Sequence, residues 1–209
     1  MFDFSVEGIV ARVPAILIGL ALHEYAHGKA ASLLGDPTPA REGRLTINPL
    51  KHLDPIGTLM LLIAPIGWAK PVNVNPYLMR GSIKTSMMLV AAAGPAMNVL
   101  LALASAVLFY GLVGGPELEL ILQYMLIINL SLAVFNLLPI PPLDGSKVLA
   151  GLLPDRYGQF LGPLEQYGSL ILLLAIMTGV AEWVIGPAMK LLLYGFVAPV
   201  GRAIGTLIF

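Results

Sequence analysis

Three long runs of apolar residues dominate the chain, at about 6–34, 82–113 and 118–138. A helix needs about 20 mostly apolar residues to cross the hydrocarbon core of a bilayer. Each of the three runs reaches that length, and the third ends at the sequence PIPP, where the prolines prevent the helix from continuing. The pattern therefore predicts three membrane-spanning helices.

The region between the first two runs is less regular. It contains RLTINPLKHLDPIGT and then an apolar run at 55–67, which is too short to span comfortably and predicts a re-entrant or tilted segment. Residues 68–74 alternate in character and include a proline, which favours an edge strand or a short hairpin. An interfacial loop anchored by Trp68 and Tyr77 is an equally good interpretation of the same residues.

The tail of the chain holds two more apolar runs, at about 168–181 and 183–207. The first is short and the second carries Lys190 and Arg202, so the pattern leaves open whether they span. We expect an all-α integral membrane protein, a polytopic bundle of about four to six membrane helices with a small membrane-associated β strand or hairpin. Residues 1–209 form one domain in this interpretation, with a core at about 6–153 and additional helices at about 160–208.

Composition supports a membrane protein. Hydrophobic residues make up 57% of the 209 positions and charged residues 11%, and the mean hydropathy is +0.85, whereas soluble domains have about 45–50% apolar and about 25% charged residues. A net charge of zero gives no indication of nucleic-acid binding, and the absence of cysteine excludes disulfides and thiol chemistry. The amino terminus lacks the basic region of a signal peptide.

The distribution of basic residues predicts the orientation. Seven of the twelve Lys and Arg residues lie between positions 29 and 84, and the connection at 114–119 has none. Lys147 and Arg156 follow the third long run. Because cytoplasmic loops of membrane proteins are enriched in Lys and Arg, the 29–84 and 147–156 regions are expected in the cytosol. The amino terminus and the 114–119 turn then face outward.

The first apolar run contains ionisable groups in the sequence HEYAH. His23 and His27 are four residues apart, so on a helix they share one face and can bind one metal ion together. Glu24 lies close enough to address a metal-bound water, which is the H-E-x-x-H arrangement of zinc proteases. A pair of interfacial histidines with a snorkelling glutamate is the alternative. Ionisable residues inside a spanning helix favour the functional interpretation.

A catalytic zinc site needs a third protein ligand, and two candidates remain. Asp144 follows NLLPIPPL, whose prolines force non-helical backbone, and such backbone at membrane depth lines a cavity or is buried in protein. Both His23 and Asp144 approach the cytosolic side, which favours Asp144 as the ligand over a role as a helix N-cap. His52 is the other candidate, although a structural hydrogen bond in its polar loop, beside Asp54, is the simpler account.

The sequences HEYAH, AAAGPAMN and NLLPIPPLDG together resemble the signatures of the site-2 protease family of intramembrane zinc metalloproteases, over roughly 20–153. The 44–58 and 67–76 stretches also resemble the compact bacterial and archaeal branch without added PDZ or CBS domains. The resemblance implies a prokaryotic cell membrane and one Zn²⁺ per chain. It implies these site residues: His23, His27 and Asp144 as zinc ligands, Glu24 as catalytic base, Asn136 as an aid to the oxyanion, and Asn98 as a packing or polar-network position.

The expected function is hydrolysis of peptide bonds in or near transmembrane segments of membrane-protein substrates, as in regulated intramembrane proteolysis. Residues 68–74 would hold an extended substrate by β-augmentation. A membrane transporter of metal ions that uses the His/Asp site is the alternative function, and a proteolytically inactive scaffold is a third. A site for metal transit does not need a carboxylate such as Glu24 beside the metal, whereas hydrolysis needs one. In addition, the sequence shows no internal repeat of the kind common in transporters.

Overall fold

The computed structural model describes residues 5–54, 57, 70–112, 114–154, 156 and 158–208. The described residues are mostly helical. In chain order the helices are α1 (Val6–Leu34), α2 (Thr38–Arg41), α3 (Ile83–Gly111), α4 (Pro116–Asn136), α5 (Asp144–Leu152), α6 (Gly158–Met177), α7 (Val180–Leu192) and α8 (Ala198–Ile208). Single 3₁₀ turns lie at Pro49–Lys51 and Pro76–Leu78, and a π-helical turn at Leu193–Val197 joins α7 to α8.

Four stretches in the described part are long and apolar enough to cross a membrane, namely Glu7–Leu34, Ile83–Gly111, Pro116–Asn136 and Val180–Ile208. The first three correspond to the three long runs of the sequence. The fourth joins α7 and α8 into one span despite Lys190 and Arg202. The remaining run is part of α6, whose apolar stretch is shorter than a span. The expectation of a helical membrane protein is confirmed.

Helices α1, α3 and α4 pack against one another, and α8 packs on α3. Small side chains at the contacts let the helices approach closely, as is usual between membrane helices. The main buried cluster lies between α3, α4 and the π-helical turn and consists of Ala102, Ala106, Leu126, Leu130 and Val197. This arrangement packs α1 against both α3 and α4, which positions the site described below.

The predicted strand at 68–74 is not found in the described residues, and the reason lies in the side chains around it. Residues 70–75 have no ladder partner among the described residues, and the Lys70 N–H donates to the His52 carbonyl at 2.8 Å. Pro71 has no N–H to donate. Trp68 and Ala69 lie outside the described residues, as does the predicted re-entrant run apart from Gly57.

Two charged side chains occupy the backbone groups that a partner strand would use. The Arg44 guanidinium donates to the carbonyls of Lys70 and Pro71, at 3.2 and 2.9 Å, and also to the Lys51 carbonyl. The Val72 N–H donates to the Glu24 carboxylate at 2.8 Å. Because these groups already have partners, strand pairing along 70–72 would first have to break charge-assisted hydrogen bonds.

The connection between α4 and α5 is short and rich in proline. It begins after Asn136, includes a cis peptide bond at Pro141–Pro142, and ends where α5 starts at Asp144. A Cβ atom on Gly145 would lie 2.2 Å from the Leu137 carbonyl oxygen, so only glycine permits this approach between the start of α5 and the end of α4. The connection therefore delivers Asp144 close to the end of α4.

Candidate metal centre

Helix α1 presents two buried histidines on one face. His23 and His27 are one turn apart, retain only 5% and 8% of their exposure, and place their Nε2 atoms 3.0 Å from each other. Their rings are nearly perpendicular, with an interplanar angle of 84°. The sequence spacing predicted this shared face, and the structure has the two Nε2 atoms pointing to a common position.

Asp144 completes the group from the start of α5. Its Oδ2 atom lies 3.2 Å from His23 Nε2 and 3.1 Å from His27 Nε2. The carboxylate does not cap α5, because the N-cap residue is Leu143 and no side chain makes a capping bond there. Burial raises the pKa of the Asp144 carboxyl, but hydrogen bonds and charge interactions with the two histidines in their protonated form outweigh burial and hold the pKa below its usual range. The carboxyl is therefore ionised at neutral pH.

The hydrogen bonds on the far side of each ring determine which nitrogen carries the proton. His27 Nδ1 lies 2.7 Å from the Val90 carbonyl oxygen, so Nδ1 must be the N–H that donates. His23 Nδ1 lies 2.6 Å from Asn98 Oδ1, and the Asn98 amide nitrogen donates elsewhere, to the Gly19 carbonyl. His23 therefore also carries its proton on Nδ1 in the neutral form, and both Nε2 atoms present lone pairs.

Three acceptor atoms thus converge with no hydrogen between them when the histidines are neutral. Two Nε2 lone pairs and a carboxylate oxygen separated by 3.0–3.2 Å repel one another unless a cation lies among them. Tetrahedral ligands about 2.0 Å from a zinc ion are about 3.3 Å apart, which is close to the observed spacing. In the described part of the chain this is the group of histidine and acidic residues with the geometry to hold a metal ion.

Gly94 on α3 leaves room for this group. A Cβ atom on Gly94 would lie 2.4 Å from His27 Nε2 and 2.6 Å from His23 Cε1. Any other residue would push one of the rings away from the common position. The contact of Gly94 with the histidine rings depends on the crossing of α1 and α3 and has no local signal in the sequence.

A cavity of about 190 Å³ opens onto the three acceptor atoms. Glu24 and Asn136 line it, and so does Lys147, for which the sequence predicted no role at the site. One Glu24 oxygen accepts the Val72 N–H, which holds the carboxylate at the wall of the cavity. The Asn136 amide donates one hydrogen to the Leu132 carbonyl at 3.0 Å, and it carries a second N–H hydrogen.

His52 lies apart from this group. It is 1% exposed, and its Nε2 atom donates to the Thr46 carbonyl at 2.8 Å. Its own carbonyl accepts the Lys70 N–H. These bonds tie the 46–52 loop to residue 70, which agrees with the structural hydrogen bond expected for His52. The alternative in which His52 replaces Asp144 as a ligand has no support in this geometry.

Comparisons with known proteins agree on one family. Residues 115–180 match the model of peptidase family M50. "Putative zinc metalloprotease YwhC" of Bacillus subtilis is 34% identical over 187 residues, which cover 85% of each chain. "Putative zinc metalloprotease Rip2" of Mycolicibacterium smegmatis is 33% identical over 174 residues, covering 78% of this chain and 64% of that protein.

A third relative is archaeal. "Putative zinc metalloprotease MJ0611" of Methanocaldococcus jannaschii is 48% identical over 60 residues, which cover 29% of this chain and 31% of that protein. No solved structure gave a significant match.

Proposed function

The chain belongs to peptidase family M50, the site-2 protease family, and is a zinc-dependent intramembrane metalloprotease; we propose that it cleaves membrane-protein substrates in or near their transmembrane segments. The observation that carries the proposal is the convergence of three acceptor atoms at a cavity lined by a separate carboxylate, Glu24. A cation site alone needs no such group, whereas hydrolysis requires a base within reach of the attacking water.

The proposed zinc ligands are His23, His27 and Asp144, one zinc ion per chain. Their donor atoms are the types that zinc prefers, their spacing suits tetrahedral ligation, and Gly94 leaves the space. When bound, zinc lowers the pKa of a coordinated water and polarises the scissile carbonyl. Three protein ligands would leave one position of a bound zinc ion for water or substrate.

Glu24 is the proposed general base. Its carboxylate is held at the cavity wall by the Val72 N–H, which uses Oε2. The carboxylate has further lone pairs with which to take a proton from water, and it can then deliver that proton to the leaving nitrogen. Asn136 lines the same cavity, and its second amide hydrogen would stabilise negative charge on the carbonyl oxygen as the tetrahedral state forms.

The catalytic core is proposed to lie at about 6–153, because every proposed site residue lies between positions 23 and 144. Substrates are proposed to be membrane proteins with a transmembrane helix. Such a helix hides its peptide bonds in hydrogen bonds, so it has to unwind before hydrolysis. A second cavity of about 260 Å³, largely apolar, adjoins the first through Met87 and Lys147 and offers space for substrate side chains.

Metal removal tests the proposal directly. Purified protein in lipid vesicles is expected to cleave a membrane-spanning model substrate, to lose all cleavage after treatment with a zinc chelator, and to recover on addition of one equivalent of zinc. Gel analysis of the fragments measures cleavage, and metal analysis measures zinc in parallel. Cleavage that persists in zinc-free protein contradicts the proposal. Zinc flux across the vesicles without cleavage would instead support the transporter.

The active site is proposed to open toward the cytosol, on the basis of the seven basic residues between 29 and 84. Arg41 is exposed at the end of α2, and Glu117 is exposed at the start of α4. The chain has no native cysteine. In intact cells, a membrane-impermeant thiol reagent is expected to label Glu117→Cys and not Arg41→Cys, and to label both after lysis. The opposite pattern would reverse the orientation.

A further inference from the structure

Three buried asparagine and histidine side chains form a continuous polar chain through the apolar helix bundle. Asn98 on α3 and Asn129 on α4 are both 0% exposed, and His23 on α1 is 5% exposed. Each is surrounded by membrane-spanning helices, where a polar side chain without a partner would be costly. The chain reaches from the middle of α4 to the metal centre, and neither the mechanism above nor the sequence motifs account for Asn129.

The hydrogen bonds in this chain all run in one direction. The Asn129 amide nitrogen donates to the Met125 carbonyl of its own helix at 2.8 Å, which leaves Asn129 Oδ1 as an acceptor. Asn98 Nδ2 donates to that oxygen at 2.9 Å and to the Gly19 carbonyl at 3.1 Å. Asn98 Oδ1 therefore faces His23 and accepts from its Nδ1 at 2.6 Å.

We propose that Asn129 is a positioning residue for the metal centre: by fixing the orientation of the Asn98 amide, it keeps the His23 proton on Nδ1 and the His23 Nε2 lone pair directed at the metal. The proposal rests on His23 being a zinc ligand, as proposed above. Ligand histidines usually donate their second ring N–H to such a partner, which fixes the ring and its tautomer. Here the partner, Asn98, is itself fixed from a third helix.

The orientation of Asn98 matters because a flip of its side-chain amide exchanges the oxygen and the NH₂ group within nearly the same volume. Turned over, Asn98 would present its NH₂ group to His23 Nδ1. His23 would then favour a proton on Nε2, and that nitrogen could not bind metal. Two acceptors oppose this turn, the Gly19 carbonyl and Asn129 Oδ1. Loss of Asn129 removes one of them.

Ordinary packing is the competing explanation, since hydrogen bonds between membrane helices also hold the helices together. A packing role would be served by hydrogen bonds in either direction, whereas the proposal requires that Asn98 accepts from His23 and donates to Asn129. A Cβ atom on Gly19 would lie 2.8 Å from Asn129 Oδ1, so α1 approaches α4 closely at the place where the chain passes. The two explanations differ in whether a change at position 129 alters the state of His23.

Zinc affinity is the first measurement. Asn129→Leu is expected to weaken zinc binding by about tenfold in competition with a chromophoric chelator, the low end of the effect of outer-shell partners. Asn129→Ser serves as a second, smaller variant, because its hydroxyl would bond to its own helix as Ser105 does to the Leu101 carbonyl. Ser105→Ala is the matched control: it removes a buried polar group of α3 that has no link to His23, and its zinc affinity is expected to equal that of the wild type.

The tautomer of His23 is the second measurement, and packing alone would not change it. The chain has three histidines, so ¹⁵N-histidine spectra of the metal-free protein in micelles are simple to assign with single His variants. In the wild type the neutral form of His23 is expected to carry its proton on Nδ1, and Asn129→Leu is expected to gain the Nε2–H form. Unchanged affinity and an unchanged tautomer in both folded position-129 variants would overturn the proposal. Full zinc binding by His23→Ala would instead show that the proposed ligand set is wrong.

Discussion

Glu24→Gln is expected to bind one zinc ion per chain, keep its helical content, and cleave substrate about 10²–10⁴ times more slowly than the wild type. The amide is nearly the size of the carboxylate, and its oxygen can still accept the Val72 N–H that now bonds to Glu24. The wall of the cavity is therefore preserved. What the amide cannot do is take a proton from water at neutral pH, so the loss falls on the chemical step.

The measurements are initial cleavage rate on the vesicle-embedded substrate, zinc content and circular dichroism. Glu42→Gln is the matched control: Glu42 accepts from Asn73 on the surface of the neighbouring loop and lies outside the cavity. That variant is expected to cleave at the wild-type rate. A Glu24→Gln protein that cleaves normally would exclude Glu24 as the base. A Glu24→Gln protein that loses both its zinc and its cleavage activity would mean that Glu24 is a metal ligand rather than the general base.

Features that depend on local spacing could be predicted from the sequence. The four-residue separation of His23 and His27 places both on one face of any helix, and the structure has their Nε2 atoms 3.0 Å apart. The prolines before Asp144 indicated a break after the third long helix, and the break delivers the carboxylate to the same place. The lengths of the apolar runs predicted the spanning helices.

Features that depend on contacts between residues far apart in the chain could not be predicted from the sequence. Residues 70–72 have the composition of an edge strand, but Arg44 and Glu24 take their backbone groups, and neither contact has a signature in the strand sequence. Asn129 reads as one polar residue in an apolar helix. Its partner Asn98 is 31 positions away, and only the crossing of α3 and α4 brings the two amides together. The direction of that hydrogen-bond chain depends on three helices at once.

Asp144→Ala is expected to lose its zinc during purification and all cleavage activity. The carboxylate supplies the only negative charge among the three acceptor atoms, and removing it leaves two neutral imidazoles to hold a doubly charged ion. The decrease in zinc affinity should be larger than the decrease of about 10–100-fold that follows from loss of an outer-shell partner. Asp144→Asn, which keeps the shape and removes the charge, is expected to lose zinc as well.

The same experiment decides between the two candidates for the third ligand. His52→Ala breaks the bond to the Thr46 carbonyl but lies outside the metal centre, so it is expected to keep one zinc ion per chain. Because that loop also contacts residue 70, a modest drop in cleavage is compatible with this result, and zinc content is the deciding measurement. If His52→Ala is purified without zinc while Asp144→Ala retains it, Asp144 is not the third ligand, and the convergence of its carboxylate with the two histidines has another cause.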